Sequence, residues 1–594
     1  MTADFNPDYV IIGGGTSGLV VANRLSQDSA TKVLIVESGN DLSADPRVNV
    51  PALWSSLIGS EADWDFETVP QPQLAGRVNA HPAGKGLGGS SATNGMAFIA
   101  PAQAEIDAWE KFGNSGWNWE SLVPFYKMVY TLDEPDQATK DHLGVDWINE
   151  EYRGNGPLKV SFPGVLQNPA CKAWIDCFRG LNRVTTGDPF SGNSIGGYSN
   201  LSTVDNTTKT RSYADSAYGR VLRERSNVKI VTGATVSKVL LKNDDPGITV
   251  YGVQASVDGK EHTYTAAKEV ILAAGVFNTP KLLELSGIGN KEILGEHGIH
   301  PILDLPGVGE NLQDHLMTGL SYETADGVMT GDDLLRQDPD TLAAAQKMYE
   351  EHKAGPFTIG SFQSAAFMPL INASQADIMA RFPSSPEDGE HHEVIRAIIS
   401  KENETSGAWL TYLVQSDMHT SSKTFVGKSL RPENYASLGC WLSHPLSRGS
   451  THISSPDTAA KPTIDPKHLT HPADLEILAR HVQSLDMLHN TPELSSMFKP
   501  DGKRNHPDSF KVADLDVAKK YVAETGRGAF HNCGTAAMMP KDKGGVVDDK
   551  LLVHGTKNLR IVDASVIPLI PRGNIISTVY AVAEKAAAII KTSQ

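Results

Sequence analysis

Gly13, Gly15 and Gly18 stand in the pattern G-x-G-x-x-G directly behind the apolar run Tyr9-Val10-Ile11-Ile12. Such a run reads as a buried strand, and apolar residues recurring at near-helical spacing from Leu19 to Leu25 read as the helix that follows. In that setting each glycine has a task. The first permits a tight turn, the second lets backbone approach a pyrophosphate, and the third lets helix and strand pack closely. Thr16 and Ser17 open the helix, whose unpaired N–H groups and positive dipole end attract phosphate. A second strand is expected at Lys32–Val36. It ends in Glu37, 22 residues after Gly15, where a carboxylate accepts the ribose hydroxyls of an adenosine. The same carboxylate disfavours a 2′-phosphorylated cofactor by charge repulsion. The glycine triplet alone is a weak signal; strand, helix, second strand and terminal acid together specify a dinucleotide.

The candidate acid–base group is His531, in Gly528-Ala529-Phe530-His531-Asn532-Cys533-Gly534-Thr535-Ala536, because imidazole titrates near neutrality. A lone histidine is more often structural, so its neighbours decide. Two further blocks suit close backbone approach. Residues Gly84–Gly95 concentrate glycines and hydroxyls, and Glu269–Ala274 reads as a buried strand followed by a turn at Gly275 and a helix through Lys281–Leu285, stopped by Ser286–Gly289. His391 and His392, beside Glu390 and Glu393, do not converge on one ion, and the polar run Glu387–Glu393 is expected to be a solvated loop. Cys171, Cys177, Cys440 and Cys533 show no metal-ligand spacing, and Cys171 and Cys177 read as helix or core thiols. No metal is expected.

These segments need a large scaffold. The chain has 594 residues, 40% apolar and 21% charged, the profile of a globular protein with a sizeable core. Lys and Arg total 53 against 70 Asp and Glu, and the resulting charge of −17 argues against nucleic-acid partners. A small-molecule partner is expected. Apolar runs such as Val270–Phe277 break off well short of the ~18 residues that a membrane span takes, so no membrane association is expected. Asp4 and Asp8 precede the first strand with no basic and apolar leader, which points to a cytosolic or organellar protein. Sequons at Asn200, Asn206, Asn372 and Asn403 leave secretion as the minority reading.

The blocks at 84–95 and 275–289 resemble the two signatures of the glucose-methanol-choline (GMC) family of flavoprotein oxidoreductases. Leu305–His315, Pro445–Gly449, His531–Pro540 and Val562–Ala586 resemble further stretches of that family in the same order, so the likeness spans the chain. It implies an α/β (α+β overall) protein in which a Rossmann-like FAD-binding domain interleaves with a substrate domain of antiparallel sheet plus helices. The FAD-binding part is expected at residues 1–165, 205–325 and 525–594, and the substrate part at 166–204 and 326–524.

The resemblance assigns residues as well. His531, with Gly534-Thr535 behind it, matches the catalytic histidine, and Asn574 matches the position of the family's second polar group, a His or Asn. His531 as base and Asn574 as a donor that positions the substrate oxygen divide the work. Gly88, Ser91, Asn94, Gly95, Val236, Ala274, Gly275, Asp563, Ala564 and Ile575 are implied to contact FAD, joining Gly13, Gly15, Thr16, Ser17, Gly18 and Glu37. Thr93 stands where some members attach the flavin through histidine, so noncovalent FAD is expected. The activity implied is oxidation of a small primary alcohol, aromatic or furanic, with oxygen or another acceptor reoxidising the flavin. Phe530-His531 and Asp563–Pro568 resemble the formate-oxidase members, whose arginine falls at the position of Asn574. Arg572, two residues earlier, would point to the same side on an extended backbone and favour a carboxylate-bearing substrate, with a turn of the loop away from the site and a plain surface arginine as the equal alternative. Phe530 is the other candidate substrate contact. An alternative of another class is a lyase that keeps FAD without net redox.

Overall fold

The computed structural model describes residues 5–593 except 165–167, 186, 245–246, 385–388, 418–421 and 426–429. Two sheets organise it. Five parallel strands run in the order Val228–Val231, Val33–Val36, Tyr9–Ile12, Glu269–Leu272, Leu559–Ile561. Tyr9–Ile12, Val33–Val36 and all of Glu269–Leu272 but its first residue are buried, which explains why they read as unbroken apolar runs: helices and sheets cover both faces. The helix Thr16–Leu25 crosses between the first two strands, and the helix Ile576–Thr592 packs against it through a shared apolar core.

The second sheet has six strands, ordered Arg527–Gly528, Leu316–Glu323, Tyr435–Leu442, Gly407–Tyr412, Ser364–Met368 and Gly196–Ser199, all antiparallel. The helices Pro472–Leu488 and Leu515–Thr525 cover one face with Leu478, Val482, Leu485, Tyr521 and Val522. Two expected edges shift. Leu316–Glu323 and Arg527–Gly528, placed by sequence in the FAD-binding part, pair with the antiparallel sheet, because Met317 aligns with both Trp441 and Arg527.

The segment around His391 also differs from expectation. Of Glu387–Glu393, residues 387–388 lie outside the described residues; the remainder opens a helix, Glu390–Ile399, instead of a solvated loop. Ile395, Ile398 and Ile399 at helical spacing bury completely or nearly so, and they carry His391 onto Phe112 with ring centroids 4.7 Å apart. All four cysteines are free and buried. The Asn200 sequon is buried too, its Nδ2 donating to the carbonyls of Leu201 and Phe362. Among the described residues no helix is long and apolar enough to cross a membrane.

Candidate active site

One cavity of about 1040 Å³ runs from the glycine turn of the parallel sheet to the edge of the antiparallel sheet. At its first end the walls are backbone. Gly13 sits at φ +103°, and a Cβ there would lie 2.3 Å from the Ala273 carbonyl oxygen. A Cβ on Gly18 would lie 2.0 Å from the Gly13 carbonyl oxygen, so this glycine does not line the cavity but closes helix onto strand. Gly15 faces the cavity, with Gly89 the nearest backbone beyond it. The helix Thr16–Leu25 starts at Gly15 with no side-chain cap, which leaves its first N–H groups for an anion, and the buried Ser17 hydroxyl has no hydrogen-bond partner. Glu37 lines the same end. Its Oε2 accepts from Gly14 N–H and its Oε1 from Gly39 N–H, both at 2.7 Å, while burial raises its pKa.

Val236, Ala274 and Gly275 continue the lining, and Asp563 fixes the turn between them: its Oδ2 accepts from Gly275 N–H at 3.0 Å and from the Thr279 hydroxyl at 2.6 Å. Asn94, Gly95, Ala564 and Ile575 reach the cavity nearer the antiparallel sheet. Gly88 and Ser91, assigned to the cofactor by sequence, stand behind the wall instead. A Cβ on Gly88 would meet the Tyr213 ring at 2.6 Å, and Ser91 Oγ donates to the Gly88 carbonyl and accepts from Ala214 N–H. They shape the loop that presents Gly89 and Asn94. Sequence reasoning missed Arg211, buried beneath this loop, which donates to the Asn94 carbonyl (2.7 Å), Asn94 Oδ1 (2.8 Å) and the Val48 carbonyl (2.8 Å). Burial lowers its pKa to about 9.

At the other end, His531 and Asn574 meet: Asn574 Nδ2 lies 2.9 Å from His531 Nε2, and both side chains face the cavity. His531 Nδ1 lies 2.9 Å from His315 Nδ1, and His315 Nε2 lies 3.1 Å from the Ser443 carbonyl. That carbonyl only accepts, so the proton of neutral His315 sits on Nε2 and its Nδ1 is a lone pair. His531 must then carry its proton on Nδ1, which leaves Nε2 as the lone pair facing Asn574 and the cavity. Burial lowers the pKa of His531 to about 3 and that of His315 well below its ordinary value, with His531 itself a further cause for the latter. The near-neutral base expected from sequence is therefore corrected: burial favours the neutral form of both rings.

Backbone and aromatic contacts hold the pair. Asp314 Oδ1 accepts from His531 N–H at 2.8 Å, and Phe530 before it takes φ +65°, a conformation that side chains rarely adopt. Phe530 stacks on Phe425 with centroids 5.2 Å apart, Trp441 lies 5.5 Å from the His531 ring, and Phe362 lies edge-on to Trp441. All four rings line the cavity.

Arg572, which the sequence left between the site and the surface, takes neither place. It is fully buried and absent from the cavity wall; its guanidinium lies 4.6 Å from the Phe367 ring centroid and donates to Ser194 Oγ. Its backbone does the local work, since its carbonyl accepts from Trp441 Nε1–H at 2.9 Å and its N–H donates to Glu105 Oε2. Residues 572 and 574 do not share a side because the segment is a loop and not the extended strand that the alternation assumed.

A parallel sheet whose glycine turn and terminal acid share one cavity with a neutral histidine base defines a dinucleotide-dependent oxidoreductase. The chain belongs to the GMC oxidoreductase family, whose N-terminal region matches residues 7–317 and whose C-terminal region matches residues 445–583. The dehydrogenase citC of Monascus ruber is 33% identical over 98% of this chain and 96% of its own length. A variant of the formate oxidase of Aspergillus oryzae superposes with a TM-score of 0.86 at 27% identity, covering 100% of this chain and 99% of that one. A fungal aryl-alcohol oxidase does so with a TM-score of 0.83 at 29% identity, covering 99% of both chains. The cofactor of this family is FAD, and the residues present fit it: an uncapped helix start, a partnerless Ser17 hydroxyl and a close Gly15–Gly89 approach at one end, and Glu37 beside them.

Proposed function

We propose that this enzyme oxidises a small neutral primary alcohol carrying an aromatic or furan ring to the aldehyde, with FAD bound noncovalently. The observation that carries the reading is the Nε2 lone pair of His531, fixed by His315 and Ser443 and set among Phe530, Phe425, Trp441 and Phe362. Bound FAD supplies the hydride acceptor. His531 Nε2 takes the hydroxyl proton, and Asn574 Nδ2, which points at that nitrogen, turns its N–H to the substrate oxygen. The new imidazolium donates from Nδ1 to His315, and the ring of His315 stays oriented by Ser443. The aromatic walls exclude water and stack on a flat substrate.

The likeness to formate oxidase supports a formate-oxidising second reading, but Arg572, the residue that would hold a carboxylate, is turned behind Trp441 onto Phe367. The test is anaerobic mixing of the purified protein with benzylic alcohols, furfuryl alcohol, aliphatic alcohols and formate, followed by absorbance. Bleaching of the oxidised flavin band by the ring-bearing alcohols is expected. Bleaching by formate alone establishes the second reading, and turnover without bleaching establishes a lyase. Peroxide release in air then separates an oxidase from a dehydrogenase.

A further inference from the structure

Behind the backbone of His531 lies a cluster that the alcohol chemistry does not use. His81, Asp314 and His468 come from three distant segments and are 0%, 3% and 5% exposed, and each offers a ligand atom within 4.8 Å of the others. Asp314 gives one carboxylate oxygen to His531 N–H; the other, Oδ2, has no hydrogen-bond partner. His468 Nε2 has none either. His81 Nδ1 lies 3.8 Å from Asp314 Oδ2 and is met by Asn532 Nδ2 at 3.0 Å. The two imidazoles lie nearly parallel with centroids 6.4 Å apart. Room for them is kept by Gly528, where a Cβ would lie 2.4 Å from Asp314 Oδ2.

We propose that His81, Asp314 and His468 form a buried structural site for one divalent cation of the zinc class. Two imidazoles and one carboxylate are the donor set that Zn²⁺ and its first-row neighbours favour, whereas Mg²⁺ and Ca²⁺ favour oxygen throughout. A ligating imidazole must be neutral, and both His81 and His468 are buried, where the uncharged form is favoured. Separations of this order suit ligand atoms about 2.0–2.2 Å from a shared metal once the side chains draw in, and the metal would displace the Asn532 hydrogen bond. Arg77 opposes a cation here through its influence on His468, but its Nε and Nη2 groups are turned to the carbonyls of Leu74, Ala523 and Gly526. Bound metal would anchor Asp314, and through its Oδ1 the His531 N–H and the left-handed turn at Phe530.

The test uses untagged holoenzyme, loaded with Zn²⁺, freed of loose metal by gel filtration in a weak chelator, and assayed by elemental analysis. The wild type is expected to keep about one equivalent. Asp314→Asn and His468→Gln are each expected to keep under about a tenth of that while remaining yellow with an unchanged far-ultraviolet spectrum. If a variant fails to fold, zinc-edge X-ray absorption of the wild type decides: a first coordination sphere with two imidazoles supports the site, and an all-oxygen one overturns it. Failure of the wild type to retain zinc, or equal retention by wild type and folded variants, also overturns it.

Discussion

The two ends of the cavity are built in opposite ways. The dinucleotide end is backbone: Gly13, Gly15 and Gly18 lie within six residues of one another, and what they supply is the absence of side chains. The catalytic end is side chain throughout, with His315, Trp441, Phe530, His531 and Asn574 brought together from four separate stretches. Backbone sites fail by steric intrusion and take the fold with them, whereas side-chain sites fail by lost function groups and leave the fold standing.

The sharpest way to break this contrast is at Gly18. A Cβ 2.0 Å from the Gly13 carbonyl cannot be accommodated without moving strand from helix, so Gly18→Ala is expected to lower stability by more than ~3 kcal/mol or to yield aggregate, measured by denaturant unfolding. Gly15→Ala, whose Cβ would find its nearest atom at 3.7 Å, should fold and instead bind FAD weakly. Equal stability of the two variants would dissolve the distinction between closing glycine and cofactor-facing glycine.

At the other end, His531→Ala is expected to reduce kcat/KM by ~10²–10⁴-fold while FAD content stays unchanged, with Asn574→Ala costing less because the base remains. His315→Phe should fall between them: it keeps the ring against Trp441 but removes the acceptor that holds the His531 proton on Nδ1. A His531→Ala variant that reduces its flavin at the wild-type rate would make the histidine structural. The rate of flavin reduction is expected to show no step near neutrality from His531, whose pKa burial lowers to about 3.

A smaller effect is expected at Arg572. Arg572→Ala opens a buried hole under Phe367 and unseats Ser194, so the melting temperature should drop while the rates on neutral alcohols and on formate change in equal proportion. Selective loss on formate would return Arg572 to the substrate.

The broadest effect is on stability against pH. His391, His481 and His531 have pKa values lowered to about 3, so between that value and the unfolded value of 6.5 the unfolded chain binds protons that the native chain does not. Stability should therefore decline as pH falls below about 6.5, at up to ~1.4 kcal/mol per unit for each group. His452 works with the opposite sign. Glu284 and Glu310, against the cost of burial, raise it to about 9, so its contribution is complete below 6.5 and lost as pH rises through about 9. A His452→Gln variant should lose the alkaline decline in a melting series and keep the acid one.

The same contrast explains what could be read from sequence. Gly13–Glu37 was legible because strand, turn, helix and acid lie within one short stretch, and the pattern itself states the geometry. His531 and Asn574 were reached through a family likeness, and the structure brings them together. His315 and Asp314 sat in view within Leu305–His315, yet nothing local shows that the strand Leu316–Glu323 delivers them beneath His531. Arg572 stayed open between site and surface because the sequence does not say whether its segment is extended, and the structure gives neither: it is buried behind the wall. His391 was misread because the acidic and histidine residues around it outweighed Ile395, Ile398 and Ile399, whose spacing marks a helix. Gly88 and Ser91 show the limit of motif reading most plainly: a signature marks residues that a site depends on, including those one layer behind it.

The parallel sheet draws its strands from residues 9–36, 228–272 and 559–561, and the helix Thr16–Leu25 finds its packing partner in Ile576–Thr592. A ribosome therefore makes the glycine turn long before the parts that cover it. Through most of synthesis the apolar face of Thr16–Leu25 waits without its partner, and through about half of it the edge of Glu269–Leu272 does too, at the mercy of chaperones and of neighbouring nascent chains. Loss of a few dozen residues from the far end of this chain would consequently injure the nucleotide fold as severely as loss of the glycine turn itself.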